Sequence, residues 1–243
     1  MKVVVLIQAR MESTRLPGKV LRDLGGASML ARVTRRVQRA SLPQEVSVAT
    51  TVKPADDAVA AEAQRLGVAA FRGDEQDVLD RFYRAAQSRH ADAVVRITAD
   101  CPFIDPGLID EVVRKFLETL PDYASNCLER TYPRGLDTEI MSMEALARAW
   151  KSATEPSQRT HVTPYLYQNP AQFKLVSVKA EQDYARHRWT VDTLEDLEFA
   201  RAVYARLNNR DDFAWREVLR LVEEDPALEE INRGVRQKEL REG

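Results

Sequence analysis

The sequence predicts an α/β fold: a mixed, mostly parallel central sheet with helices on both faces. Two observations carry this. Apolar, β-branched runs alternate with amphipathic stretches through the first half of the chain, so the hydrophobic period switches repeatedly. Asp105-Pro106 then sets an N-cap and a first-turn proline at the head of a further helix. In order, the pattern predicts strands over residues 2–7, 46–49, 69–71 and 93–97, with helices over 28–40, 56–66, 76–87 and 106–120. Such βαβ alternation requires parallel strands joined by helical crossovers. From 123 to 173 the pattern loosens into strands at 123–125 and 138–141, a turn at Pro133-Arg134-Gly135, and helices over 143–151 and 160–167. This stretch reads as an insertion or subdomain within one domain spanning 1–243. Strands at 174–178 and 189–191 and a helix over 193–207 follow. The remainder is helical and ends in a charged RGVRQKELREG, expected to fray.

Hydrophobic residues make up 44% of the chain and charged residues 30%, a composition that buries a core and excludes an intrinsically disordered protein. Lys and Arg number 36 against 38 Asp and Glu, so a nucleic-acid coat protein is excluded and any anion binding must be local. No apolar run approaches a membrane span. Cys101 and Cys127 lack zinc-ligand spacing and are expected to be buried thiols in a reducing compartment. The first strand begins within two residues, with no basic region and cleavable apolar stretch before it, which predicts a cytoplasmic protein.

Positive charge is concentrated in IQARMESTRLPGKVL, directly after the first strand. In open α/β sheets, ligands bind beyond the carboxyl ends of the strands. Arg10, Arg15 and Lys19 there can bind several phosphate oxygens at once, with Ser13 and Thr14 adding hydroxyls and Pro17-Gly18 holding a turn. The stretch is not a Walker A loop, because Val20 follows Gly18-Lys19 and the upstream glycine is missing; no GxGxxG follows the strand either.

QARMESTRLPGKVL resembles the signature of bacterial cytidylyltransferases of the spore-coat polysaccharide type, relatives of the CMP-sialic acid and CMP-Kdo synthetases. The similarity continues through RGDEQDVLDRFY, RITADCPFIDP, YASN, GLDTEI, HVTPYL and RWTVDTLEDLEFAR, in that order and over nearly the whole chain. The resemblance implies a nucleotide-diphosphosugar-transferase, GT-A-like fold. It also implies transfer of CMP from CTP to an anionic sugar or related acceptor, with Mg2+ required and pyrophosphate released, by a cytoplasmic homodimer in surface polysaccharide biosynthesis. Arg10, Arg15 and Lys19 become catalytic residues, and Gln8, Ala9, Arg10, Ser13, Arg15, Lys19, Arg72, Gly73, Asp74 and Val78 nucleotide contacts, with Asp77 nearby. Asn126, Asp137, Glu139, His161 and Arg188 become acceptor contacts, with Arg159 a further cation for an acceptor carboxylate or phosphonate. The 123–173 stretch becomes an acceptor-binding or dimerisation subdomain.

Two carboxylates and substrate phosphates suffice for magnesium. The resemblance assigns that role to Asp100 and Asp192. On the residues alone, Asp192 or Thr193 could equally cap the following helix with Glu195 or Asp196 completing a capping box, and Asp100 could organise the turn before Pro102. Asp105 is expected to be a cap. Two further readings stay open: a sugar-1-phosphate nucleotidyltransferase using another NTP, and a non-catalytic nucleotide-binding protein of the same fold. One departure stands out, since Glu12 occupies a position where this family commonly has glycine; it is expected to point away from the phosphates and pair with an arginine.

Overall fold

The computed structural model describes residues 1–237. Its seven-stranded sheet has the order β3-β2-β1-β4-β6-β5-β7. The strands are β1 (Val3–Gln8), β2 (Glu45–Thr51), β3 (Ala69–Gly73), β4 (Ala93–Thr98), β5 (Tyr123–Ser125), β6 (Glu139–Ser142) and β7 (Leu175–Ser177). All pairings are parallel except those of β6, which runs antiparallel to both β4 and β5. The mixed, mostly parallel sheet is therefore as expected.

Alternation along β1 explains the layering. Val3, Val5 and Ile7 join a buried cluster with α1 (Met29–Val37), α2 (Asp57–Arg65), α4 (Pro106–Thr119), α8 (Leu194–Arg206) and α9 (Trp215–Glu224). Val4 and Leu6 join the opposite cluster with α3 (Val78–Ser88), α5 (Met143–Ser152) and α7 (Pro164–Tyr167). Successive side chains of a strand point to opposite faces, so a strand covered on both sides is apolar throughout. Each such side chain contributes roughly 1.5–3 kcal/mol on burial.

Helix starts follow the capping rules. Ser28, Asp77, Asp105 and Ser142 cap α1, α3, α4 and α5 by accepting from the amide three residues on. At α8 the cap is Thr193, with Asp196 completing a capping box, which leaves Asp192 outside the helix. The 123–173 stretch contributes β5 and β6 to the common sheet and α5, α6 (Pro156–His161) and α7 to the fold.

Three expectations are corrected. Residues 189–191 are extended but form no strand, because their partners are loops: Arg188 bridges Arg134, and Val191 N donates to the Asp100 carbonyl at 2.8 Å. The helix expected over 160–167 is broken at Val162, whose φ of 73° and ψ of −57°, with Thr163 N donating to His161 O at 2.9 Å, make a tight positive-φ γ-turn. Cys101 is buried as expected, but Cys127 is only half-buried. Among the described residues beyond α9 only α10 (Ala227–Glu230) follows, and the fraying expected at the end of the chain falls largely outside them.

The 133–136 turn is pressed against the 187–191 segment. Arg134 N donates to His187 O at 3.0 Å, and Trp189 N to Arg134 O at 2.7 Å. Gly135 has φ +105°, and a Cβ there would lie 2.7 Å from Thr190 N and the Trp189 carbonyl carbon. Positive φ and backbone contact together demand glycine. Gly135→Ala is therefore expected to lower stability by about 2–4 kcal/mol in urea unfolding.

Candidate active site

Strand order reverses between β1 and β4, whose carboxyl ends open side by side. The basic loop leaves β1 there. Buried Asp56 anchors it, accepting from Met11 N at 2.6 Å and from the Thr51 hydroxyl. Gly18, at φ 69°, donates to Met11 O at 2.9 Å and starts a 3-10 turn over Lys19–Leu21. That closure turns the Lys19 side chain inward.

Lys19 Nζ lies 2.7 Å from Asp100 Oδ2, 2.9 Å from Asp192 Oδ1 and 3.0 Å from the Val191 carbonyl. Asp100 follows β4, and Asp192 ends the extended 187–192 segment, so one ammonium ties three parts of the chain together. Arg15 reaches Asp192 Oδ2 at 3.0 Å and Arg188 reaches it at 2.8 Å. Burial alone would lower the Lys19 pKa, but Asp100 and Asp192 outweigh it and raise the pKa. Burial likewise opposes ionisation of Asp192, yet Lys19, Arg188 and Arg15 hold its carboxyl down to about 2.

Arg15, Asp100 and Asp192 line one cavity of about 710 Å³ together with Asp137, Glu139 and His161. One expected phosphate residue, both expected metal residues and three of the expected acceptor residues thus line one cavity. On the cavity floor Glu139 pairs with Arg96 and accepts from the Tyr123 hydroxyl at 2.6 Å and the Thr163 hydroxyl at 2.7 Å. Arg96 also donates to Gln8 Oε1 at 3.0 Å. Asp137 takes a two-pronged contact from Arg130, at 2.6 and 2.8 Å. Arg10 has no hydrogen-bond or ion-pair partner from its side chain among the described residues, so its charge is available.

Other assignments come out differently. Asn126 is fully buried; it donates to Leu136 O at 2.8 Å and accepts from Thr138 N at 2.8 Å, so it fixes the loop beneath the cavity. Arg188 braces Asp192 and Asp196 instead of facing an acceptor freely. Arg159 pairs with Asp77 and donates to Trp150 O at 2.6 Å. In the β3–α3 loop, Arg72 is spent on the Thr51 and Lys53 carbonyls and Asp57, and Asp74 accepts from Gln76 N and Asp77 N. Val78 is buried, Gly73 packs on Arg81, and Ser13 accepts from Leu16 N at 3.3 Å. Ala9 is buried and donates its amide to Ala49 O at 3.2 Å.

Arg96, Arg130, Arg134 and Thr163 also line these cavities and were not singled out from sequence. The Pro-Arg-Gly turn was the one local signal among them.

A reversing parallel sheet with a cation-rich loop facing two carboxylates is the arrangement of a nucleotidyltransferase. More particularly, the chain belongs to the cytidylyltransferase family, whose profile matches residues 4–225. A solved cytidylyltransferase from Leptospira borgpetersenii is 33% identical with a TM-score of 0.91, covering 94% of this chain and 96% of its own. The spore coat polysaccharide biosynthesis protein SpsF of Bacillus subtilis is 33% identical over 92% of this chain and 95% of its own length. A 3-deoxy-manno-octulosonate cytidylyltransferase from Mesorhizobium japonicum is 31% identical over 85% of this chain and 90% of its own.

Stability should report the central ion cluster. Because its pKa is depressed, Asp192 contributes stability that is complete above its ordinary value of 3.8 and lost as pH falls towards about 2. Lys19→Met leaves two facing acids without their shared cation. The expected cost at pH 7 is roughly 2–4 kcal/mol, below that of a fully buried pair because Asp100 retains solvent contact. The wild type loses the Asp192 contribution as pH falls from 3.8 towards about 2, so the gap between wild type and variant should narrow over that range in urea unfolding series.

Proposed function

We propose that this cytidylyltransferase transfers CMP from CTP to an acceptor bearing a carboxylate or phosphonate, releasing pyrophosphate with Mg2+ held by Asp100 and Asp192. The carrying observation is the Lys19 ammonium between those two carboxylates. They already converge on one cation, and their hard oxygens suit magnesium. Among the described residues no group of three or more His, Cys, Asp or Glu side chains could hold a metal, so phosphates and water would complete the shell. When bound, the metal would offset negative charge on the phosphates.

The chain's own groups do the rest. Arg10, Arg15 and Lys19 clamp the triphosphate and set the α-phosphorus in the cavity. An acceptor oxygen attacks that phosphorus, the bond to the bridging oxygen breaks, and pyrophosphate leaves with the electron pair beside cationic side chains. Residues 123–173 supply much of the acceptor side through Asp137, Glu139 and His161. A cytoplasmic homodimer working in surface polysaccharide assembly completes the reading; no helix among the described residues is long and apolar enough to cross a membrane.

Pyrophosphate release with Mg2+, each of the four NTPs and a panel of acidic sugars and phosphonates is expected to favour CTP. Equal rates with all four would remove the base assignment. Lys19→Ala and Asp100→Asn should each lower turnover by about 10²–10³-fold while remaining folded; near-normal turnover in both would remove the site assignment. Lys19→Met should also bind Mn2+ more tightly than wild type without nucleotide, because the ammonium no longer occupies the acidic pair, and magnetic resonance of the bound ion reads this directly.

A further inference from the structure

We propose that Arg134 receives the anionic group of the acceptor and thereby sets the acceptor class. This rests on the cytidylyltransferase reading and deepens it. The other arginines lining the two cavities that hold Glu139 and His161 are committed: Arg15 to Asp192, Arg130 to Asp137, and Arg96 to Glu139 and Gln8. Among the described residues the Arg134 guanidinium makes no hydrogen bond or ion pair. It nevertheless lines the 710 Å³ cavity with Asp100 and Asp192, the adjoining 400 Å³ cavity with Glu139 and His161, and a third of about 340 Å³ behind.

Its base is rigid where its tip is free. The Arg134 amide and carbonyl are both bonded to the 187–189 segment, and Gly135 packs directly on Trp189 and Thr190. That segment also carries Asp192, so the base of the Arg134 side chain is held in fixed relation to that carboxylate. Burial and the nearby Arg130 depress the Arg134 pKa, Asp137 opposes them, and Arg188 adds to the depression. The surroundings leave positive charge uncompensated. A guanidinium fork matches two oxygens of a carboxylate or a phosphonate, and binding either would supply the missing counter-charge.

The test measures binding by calorimetry to the full chain with Mg2+ and a non-hydrolysable CTP analogue. The probes are 3-deoxy-manno-octulosonate, its methyl ester, and 2-hydroxyethylphosphonate. Wild type should bind one of the two acids, which decides between carboxylate and phosphonate. Arg134→Ala should weaken that acid roughly 30-fold, and Arg134→Lys by about 5–10-fold, with the CTP analogue within about twofold of wild type. If the carboxylate is the group read, the ester should bind wild type as weakly as the acid binds Arg134→Ala. Arg186→Ala, which removes a cation lining only the rear cavity, should leave acid binding unchanged.

The proposal is overturned if Arg134→Ala binds the acid within about threefold of wild type, if Arg186→Ala loses as much, or if wild type binds neither acid. Failure of wild type to bind the CTP analogue is a separate result: it overturns the cytidylyltransferase reading, and this inference falls with it.

Discussion

A single ammonium set between two carboxylates organises this molecule. Lys19 comes from the loop after β1, Asp100 from the end of β4, and Asp192 from a segment nearly a hundred residues further on. Each of these charges is partly withdrawn from solvent and would cost free energy if left unpaired. Lys19 and Asp192 favour each other's charged form, and the loop, the strand end and the 187–192 segment are fixed by the same contact. The cations of the loop are thereby placed beside the two acids.

The scaffold beneath is built for placement. Asp56 pins the loop at Met11, Gly18 closes it, and Thr193 takes the cap of α8 so that the Asp192 carboxylate is left for the cavity. Across the cavity, Val162 holds a γ-turn that few β-branched residues adopt, between His161 on the cavity wall and Thr163, which donates to Glu139. Such strain persists only where surrounding packing imposes it, and Val162 is fully buried. Rigid backbone with polar tips is the combination that keeps a site in shape before ligand arrives.

How much could be read from sequence follows from how local each signal is. β1 to β4 and their helices were legible because strand and helix periods are written within ten-residue windows and crossovers fix the pairing. The basic loop was legible because its charges are neighbours in sequence. Asp100 and Asp192 were expected in one site only through family likeness, since on the residues alone a turn or a cap was the simpler account of each; the structure gives the α8 cap to Thr193. Asn126 shows the opposite failure: a polar side chain in a motif reads as a contact, whereas its amide closes two buried backbone bonds. Arg130 and Arg134 escaped notice because their roles depend on the 133–136 turn folding against residues 187–191, which no local pattern encodes.

Glu12 stands where the resemblance sets a glycine, and its geometry shows how an acid is accommodated in a loop rich in cations. It is absent from the positive-φ residues, so replacing glycine has cost no backbone strain. Its partner is Lys53, not the arginine expected, at 2.9 Å, and Lys53 also reaches Glu75 at 2.6 Å. Both Glu12 and Lys53 are well exposed, so the pair adds little stability. What it does is direct charge: the carboxylate is turned towards Lys53 and the β3–α3 loop. Arg10 is left without an ion-pair partner among the described residues, so the loop keeps an uncommitted cation.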